Sequence, residues 1–173
     1  MTDLINRPQY LNQLIQNKDV DLVKIVTGIR RCGKSSLLDL FHKYLTENGV
    51  PDAHIIHMNM ESLRYRDLTN YLFFYDYVSK RISPDGKTYL IFDELQAVEH
   101  WEKAIESFRL DFDVDIYITG SNAICCPQSF QRCCPADMWK SECSHCHSGN
   151  SLTFMNLHLM SVWRKNSKNT FSS

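Results

Sequence analysis

The sequence predicts an α/β fold in which helices cover both faces of a parallel β-sheet in three layers. Short apolar runs rich in β-branched residues alternate along the chain with stretches of helical periodicity. A glycine-rich loop joins the first of these predicted strands to a helix, and a later strand ends in two adjacent carboxylates. Strands that alternate with helices are typical of parallel sheets, because parallel neighbours need a crossover connection.

Composition limits the class of protein. The chain has 173 residues, 43% of them hydrophobic, which suffices for one full core. The formal net charge is −1, so no overall field favours nucleic acid or an anionic membrane. No apolar run approaches the ~18 residues of a membrane span, and the N-terminus lacks the apolar segment of a signal peptide. We therefore expect a cytoplasmic protein that binds neither nucleic acid nor membrane.

Residues 1–20 are predicted to form a lead-in helix. Leu4, Leu11 and Leu14 recur at helical spacing, and Pro8 suits the first turn of a helix that starts near Arg7. We expect this helix to pack beside a core that begins at residue 21.

The glycine-rich loop lies between a predicted strand at 22–27 and a predicted helix at 36–45. It matches the pattern G-x-x-x-x-G-K-[ST] at every fixed position. Glycines permit a tight turn that points successive N–H groups toward phosphate oxygens, and the helix that follows adds its positive end. The residues that we predict to bind the phosphates are Gly28, Ile29, Arg30, Arg31, Cys32, Gly33, Lys34, Ser35 and Ser36.

Two residues of this loop have distinct chemical roles. Lys34 is expected to reach the β- and γ-phosphates, and the hydroxyl of Ser35 is expected to bind Mg²⁺. The alternative is a glycine turn that joins a strand to a helix and binds nothing. The correct flanks and a second motif downstream favour the phosphate site.

That second motif ends a predicted strand at 89–94, after a strand at 54–60 and a helix at 67–82. Downstream of a phosphate-binding loop, Asp93 is expected to support Mg²⁺ and Glu94 to orient the attacking water. Two adjacent acids, rather than a lone aspartate, favour hydrolysis of ATP over binding alone.

A helix at 98–110 and a strand at 115–122 complete the predicted core, which spans residues 21–124. Ligands bind at the carboxyl ends of parallel strands, so polar residues at the end of this last strand are candidate site residues. Thr119, Ser121 or Asn122 is expected to sense the γ-phosphate or hold the catalytic water, and a simple Gly-Ser-Asn turn is the alternative.

Several stretches together resemble prokaryotic AAA-type P-loop ATPases, namely residues 7–11, 27–35, 92–96, 101–102 and 118–123. The resemblance covers roughly residues 3–124 and implies a P-loop NTPase sheet with ATP and Mg²⁺ as cofactors. It implies Ser35 and Asp93 at the metal, and Lys34 and Glu94 in the roles above. It also makes Asn122 or Ser121 the sensor. Such proteins usually carry a C-terminal domain of unknown function, and homo-oligomers are a further expectation.

Residues 125–173 depart from this pattern, because they hold six of the 7 cysteines and show no sustained periodicity. We expect an irregular or disordered tail, no fifth strand, and a sheet that is incomplete at its C-terminal end. Our hypothesis is a reading-frame shift near codon 124, because a shifted frame permits a leucine-rich continuation with strand character. The chain would then be a truncated ATPase of marginal stability and doubtful turnover.

Two alternative functions stay open. One is a nucleotide-binding regulatory module that does not hydrolyse ATP. The other is a zinc-dependent nucleic-acid-binding protein, with a zinc site in the tail built from Cys133, Cys134, Cys143 and Cys146.

Overall fold

The computed structural model of the chain describes residues 8–28, 31–120 and 153–157. In these residues four parallel strands lie between two layers of helices, which confirms the predicted α/β fold class. None of the helices in this part of the chain is long and apolar enough to cross a membrane.

The helices and the first four strands follow the predicted order. The helices are α1 (Pro8–Gln16), α2 (Lys34–Glu47), α3 (Tyr71–Ser79) and α4 (Trp101–Asp111). The strands are β1 (Val23–Thr27), β2 (Ile55–Asn59), β3 (Thr88–Asp93), β4 (Val114–Gly120) and β5 (Thr153–Leu157). The third helix begins later than predicted because the Asn70 side chain caps it, accepting a hydrogen bond of 2.9 Å from the Leu72 N–H.

The strand order across the sheet is β2-β3-β4-β1-β5. The strands β1 to β4 run parallel, and their register pairs Asn59 with Asp93 and Thr27 with Gly120. The carboxyl ends of these four strands therefore meet along one side of the sheet, here called the carboxyl edge. The side where the same strands begin is called the amino edge.

The prediction that no fifth strand follows the core was wrong. β5 pairs antiparallel with β1 along its whole length, from Val23 opposite Leu157 to Thr27 opposite Thr153. The physical reason is that β1 would otherwise leave a row of backbone N–H and C=O groups unpaired on its outer side. The rest of 125–173 lies outside the described residues, including the four proposed zinc ligands. The frame-shift and truncation hypotheses stay predictions.

Each face of the sheet buries its own apolar cluster. α3 and α4 pack on one face, and α1 and α2 pack on the other. Strand residues alternate between the two clusters, as the pleat of a strand requires: Leu90 and Phe92 meet α3 and α4, whereas Tyr89 and Ile91 meet α1 and α2. Two such layers fix the position of α2, whose first residues belong to the glycine-rich loop.

A buried ion pair stabilises the amino edge. Lys24 donates to Asp115, and both side chains are almost fully buried. Asp115 also accepts hydrogen bonds of 2.9 Å from the Tyr117 hydroxyl and from the Asp19 N–H. Burial lowers the pKa of Lys24, and the charge of Asp115 opposes that shift. A cavity of about 180 Å³ lies at this edge, with Val20 and Asp113 in its wall.

A histidine pair joins α2 to the outer strand β2. The Nδ1 atoms of His42 and His57 lie 3.2 Å apart, so that one ring donates a hydrogen bond to the other. Asp39 Oδ1 lies 4.0 Å from His57 Nδ1. Burial lowers the pKa of His57, and His42 acts in the same direction, whereas Asp39 and Asp93 oppose the shift.

Candidate functional site

The candidate site lies at the carboxyl edge, where the glycine-rich loop leaves β1 and the two acids end β3. Gly28 follows β1 directly and is buried. The parallel register brings the end of β4 between these two strands. The topology therefore collects the loop, both acids and the end of β4 in one place, which no single stretch of sequence specifies.

Backbone conformation explains the residue types in the part of the loop that the structure describes. Gly33 has φ +91°, a value that L side chains rarely adopt, and Arg31 also has a positive φ of 66°. A Cβ atom placed on Gly33 would meet no atom within 4 Å. Conformation, and not crowding, therefore favours glycine here, and the space beside it is open. Ile29 and Arg30 lie outside the described residues.

The remaining predicted loop residues divide between surface and core. Ser35 is exposed and Ser36 is half-buried in the first turn of α2. Cys32 is buried and packs into the apolar cluster beneath α1 and α2. Its side chain is thus a core residue, so that any contact of Cys32 with a phosphate falls to its backbone.

Lys34 connects the loop to the acids. Its side chain is only 3% exposed, and its Nζ lies 3.3 Å from the Gly28 carbonyl oxygen and 3.3 Å from Glu94 Oε1. A lysine ammonium group is costly to bury unless negative or polar partners surround it. The partners of Lys34 hold its charge between the loop and the end of β3.

Asp93 is the last residue of β3 and is almost fully buried. Its Oδ1 accepts a hydrogen bond from the Thr119 hydroxyl, and its Oδ2 accepts one of 3.0 Å from the Asn59 amide. One neighbour on each side, from β4 and from β2, therefore orients this carboxylate.

Glu94 follows in a left-handed conformation, with φ 53° and ψ 47°. Its backbone N–H donates a hydrogen bond of 3.1 Å to the Thr119 hydroxyl oxygen. Its carboxylate accepts a hydrogen bond from the Gln96 amide and faces Lys34. Because the backbone turns at Glu94, the carboxylate of Glu94 faces Lys34 at the start of α2 and does not continue the course of β3.

The structure places Lys34 against Gly28 and Glu94, with Gly33 and Asp93 next to them in the chain, and the predicted roles of these residues toward phosphate and Mg²⁺ stay predictions. Thr119 lies in the same cluster, but its hydroxyl is buried against the two acids. Ser121 and Asn122 lie outside the described residues, so that the predicted sensor stays a prediction.

Sequence reasoning missed Asn59 and Gln96. The polar residue at the end of the strand was the available signal for Asn59, because every other parallel strand also ends in a polar residue or glycine. Gln96 follows Glu94 by two residues. It lies in a short 3-10 helix, Leu95–Ala97, which is too short to show a periodicity in the sequence.

Comparison of the sequence with known proteins identifies the family to which this chain belongs. The model of a protein family described as "AAA domain" matches residues 21–133, which is more than half of the chain. An uncharacterized protein of Haemophilus influenzae is 40% identical over 121 residues, which cover 69% of this chain and 30% of that protein. No solved structure matches.

A second relative is more distant. The uncharacterized protein MJ1544 of Methanocaldococcus jannaschii is 26% identical over 116 residues, which cover 64% of this chain and 23% of that protein. The chain thus matches less than a third of the length of either relative.

Proposed function

We propose that this chain, which belongs to the AAA domain family, binds ATP together with Mg²⁺ at the carboxyl edge of its sheet. The observation that carries this proposal is the position of Lys34. Its buried ammonium group lies 3.3 Å from the loop carbonyl of Gly28 and 3.3 Å from the carboxylate of Glu94. A charge held between a phosphate-binding loop and a pair of acids suits a nucleotide polyphosphate.

The residues present fit such an anion. Gly33 leaves open space beside the loop, and α2 begins directly after it. The first turn of α2 contains no acidic residue, and no side chain in the described part of the chain caps it. The first N–H groups of a helix lack intrahelical acceptors and carry partial positive charge, so this end of α2 favours phosphate.

The residues also fit the metal. The hydroxyl of Ser35 and the carboxylate of Asp93 are oxygen ligands of the kind that Mg²⁺ prefers. Bound Mg²⁺ would supply positive charge that neutralises the phosphate oxygens. Asp93 accepts one hydrogen bond on each oxygen and keeps lone pairs for a metal ion or for a water molecule on it.

In this proposal Lys34 acts first, when ATP binds, and Glu94 acts second, on the attacking water. Lys34 exchanges its ion pair with Glu94 for contacts to the phosphates. The carboxylate of Glu94 is then available to orient a water molecule and accept its proton. Hydrolysis of ATP is the reaction that this arrangement supports. The finer steps, self-association and a cytoplasmic location stay predictions.

Replacement of Lys34 by alanine tests the binding site. We expect wild-type protein to bind Mg-ATP in isothermal titration calorimetry and K34A to lose binding by at least about tenfold, because a charged hydrogen bond contributes about 1.5–3 kcal/mol. Lys43 lies on the same helix but is exposed, at 71%. K43A removes an equal charge and is expected to bind as wild type does.

Two outcomes of this titration would contradict the proposal: no ATP binding by the wild-type chain, or equal affinities of K34A and K43A. Release of inorganic phosphate by the wild-type protein, measured in parallel, distinguishes hydrolysis from a module that only binds.

A further inference from the structure

Thr119 is the penultimate residue of β4, and its side chain is 0% exposed. Its hydroxyl makes two hydrogen bonds at once. It donates to Oδ1 of Asp93, and it accepts the backbone N–H of Glu94 at 3.1 Å. A single oxygen atom on β4 thus contacts both acids at the end of β3.

These bonds leave no hydrogen for a phosphate. A hydroxyl has one proton to donate, and in Thr119 that proton is given to Asp93. Its place at the end of β4 makes Thr119 one of the candidate sensors of the γ-phosphate predicted from the sequence. The geometry removes Thr119 from that role and leaves it to Ser121 or Asn122.

The two bonds act on different parts of the acids. The bond to Asp93 fixes a carboxylate rotamer, together with the Asn59 amide on the other oxygen. The bond to Glu94 holds a backbone N–H at a left-handed residue, a conformation that glycine adopts freely but that is unfavourable for L-residues other than asparagine and aspartate. The Thr119 hydroxyl therefore orients Asp93 through the Asp93 carboxylate and Glu94 through the Glu94 backbone N–H.

We propose that Thr119 is a positioning residue that fixes Asp93 and Glu94 relative to each other, so that the metal-binding carboxylate and the carboxylate facing Lys34 keep one arrangement. This inference rests on the proposed binding of Mg-ATP. It adds a residue that no part of the phosphate-loop motif contains. It also means that the placement of β4, the strand that leads to the predicted sensor, affects the arrangement of the proposed metal ligand Asp93.

Isosteric variants test the role. Thr119→Val keeps the shape and removes both hydrogen bonds, whereas Thr119→Ser keeps the hydroxyl. Thr88 supplies a matched control, because it is equally buried but lies at the amino edge, where its hydroxyl accepts the Ser83 N–H at 3.3 Å. T88V therefore removes a buried threonine hydroxyl far from the acids.

The first measurement is ATP affinity of the full chain as a function of Mg²⁺ concentration. We expect T119V to need about ten times more Mg²⁺ than wild type for half-maximal enhancement of ATP binding, because residues that orient metal ligands typically change metal affinity about 10–100-fold. Affinity for ATP in the presence of EDTA is expected to stay within about twofold of wild type. T119S and T88V are expected to keep the wild-type Mg²⁺ dependence. Equal Mg²⁺ dependence of T119V and T88V would overturn the proposal.

The second measurement does not depend on nucleotide. Hydrogen exchange of the Glu94 amide, followed by NMR, is expected to accelerate in T119V and to stay slow in T119S and T88V. Unchanged exchange in T119V would show that Thr119 does not hold this turn. If the wild-type chain binds no ATP, the proposed function fails, and the Glu94 amide still decides whether Thr119 positions the acids.

Discussion

Replacement of Glu94 by glutamine removes one charge from the ion pair with Lys34 and preserves the size of the side chain. The two charged atoms are 3.3 Å apart, with Lys34 only 3% and Glu94 only 12% exposed. In this pair the carboxylate competes with phosphate for the ammonium group. E94Q is therefore expected to bind ATP more tightly than wild type, although it removes the group that we propose to act on water.

The size of the effect follows from the pair. Two unit charges at 3.3 Å interact by about 5 kcal/mol at an effective dielectric constant of about 20. Glutamine still accepts a hydrogen bond from Lys34, and the ammonium group stays near residue 94 when it contacts a phosphate. For these two reasons only part of the pair energy is gained when ATP binds to E94Q. If that part is about a quarter, roughly 1.2 kcal/mol, the affinity of E94Q for ATP is about 5–10 times that of wild type.

Calorimetric titration of Mg-ATP measures this change. Glu106→Gln is the matched control, because Glu106 is exposed on α4 and carries the same charge. E106Q is expected to keep the wild-type Kd, and the gain in E94Q is expected to persist at high salt, since buried pairs are screened weakly. An E94Q protein that binds ATP equally well or more weakly than wild type would refute the argument.

Two further predictions concern stability. Asp115→Asn leaves Lys24 as a buried charge without its carboxylate partner, so urea denaturation is expected to show a loss of about 3–5 kcal/mol, partly recovered in the K24M/D115N double variant; unchanged stability of D115N would contradict this. Burial lowers the pKa of His57 below its ordinary 6.5, so the folded state binds fewer protons at this ring than the unfolded state. The stability that the neutral His57 ring contributes is thus complete above about pH 6.5, the ordinary histidine pKa, and is lost as the pH falls below that value. We expect His57→Gln to lessen the decline of the urea midpoint between about pH 7 and pH 5, and an identical decline in both proteins would count against this explanation.

Apolar runs rich in β-branched residues, separated by stretches of helical periodicity, were sufficient to predict the four parallel strands and the helices between them. β3 is buried along its whole length and therefore reads as a continuous apolar run, whereas burial of one face gives α2 a helical period, and both patterns are visible in a single sequence. The loop was equally predictable, because only glycine tolerates the φ of +91° at Gly33 at low cost. Local pattern thus specified the scaffold and the residue types that contact phosphate in the proposal.

The contacts between strands were not predictable in the same way. Asn59 reaches Asp93 only because β2 lies beside β3 in matching register, and Thr119 reaches the acids only because β4 lies on the other side of β3. Strand order is decided by the packing of whole layers, and no spacing along the chain encodes it. The pairing of β5 with β1 has the same origin, because it depends on a free edge that the sequence does not display.

The central claim is that Mg-ATP binds at the carboxyl edge. The most direct test is a titration of ¹⁵N-labelled full chain with Mg-ATP, followed by two-dimensional NMR. If Mg-ATP binds at this edge, the amide signals of Gly33, Lys34 and Glu94 are expected to show saturable shifts, and those of Val20 and Asp113 at the amino-edge cavity are expected to stay unchanged. Shifts confined to the amino edge, or no saturable shift at Gly33 and Lys34, would contradict it.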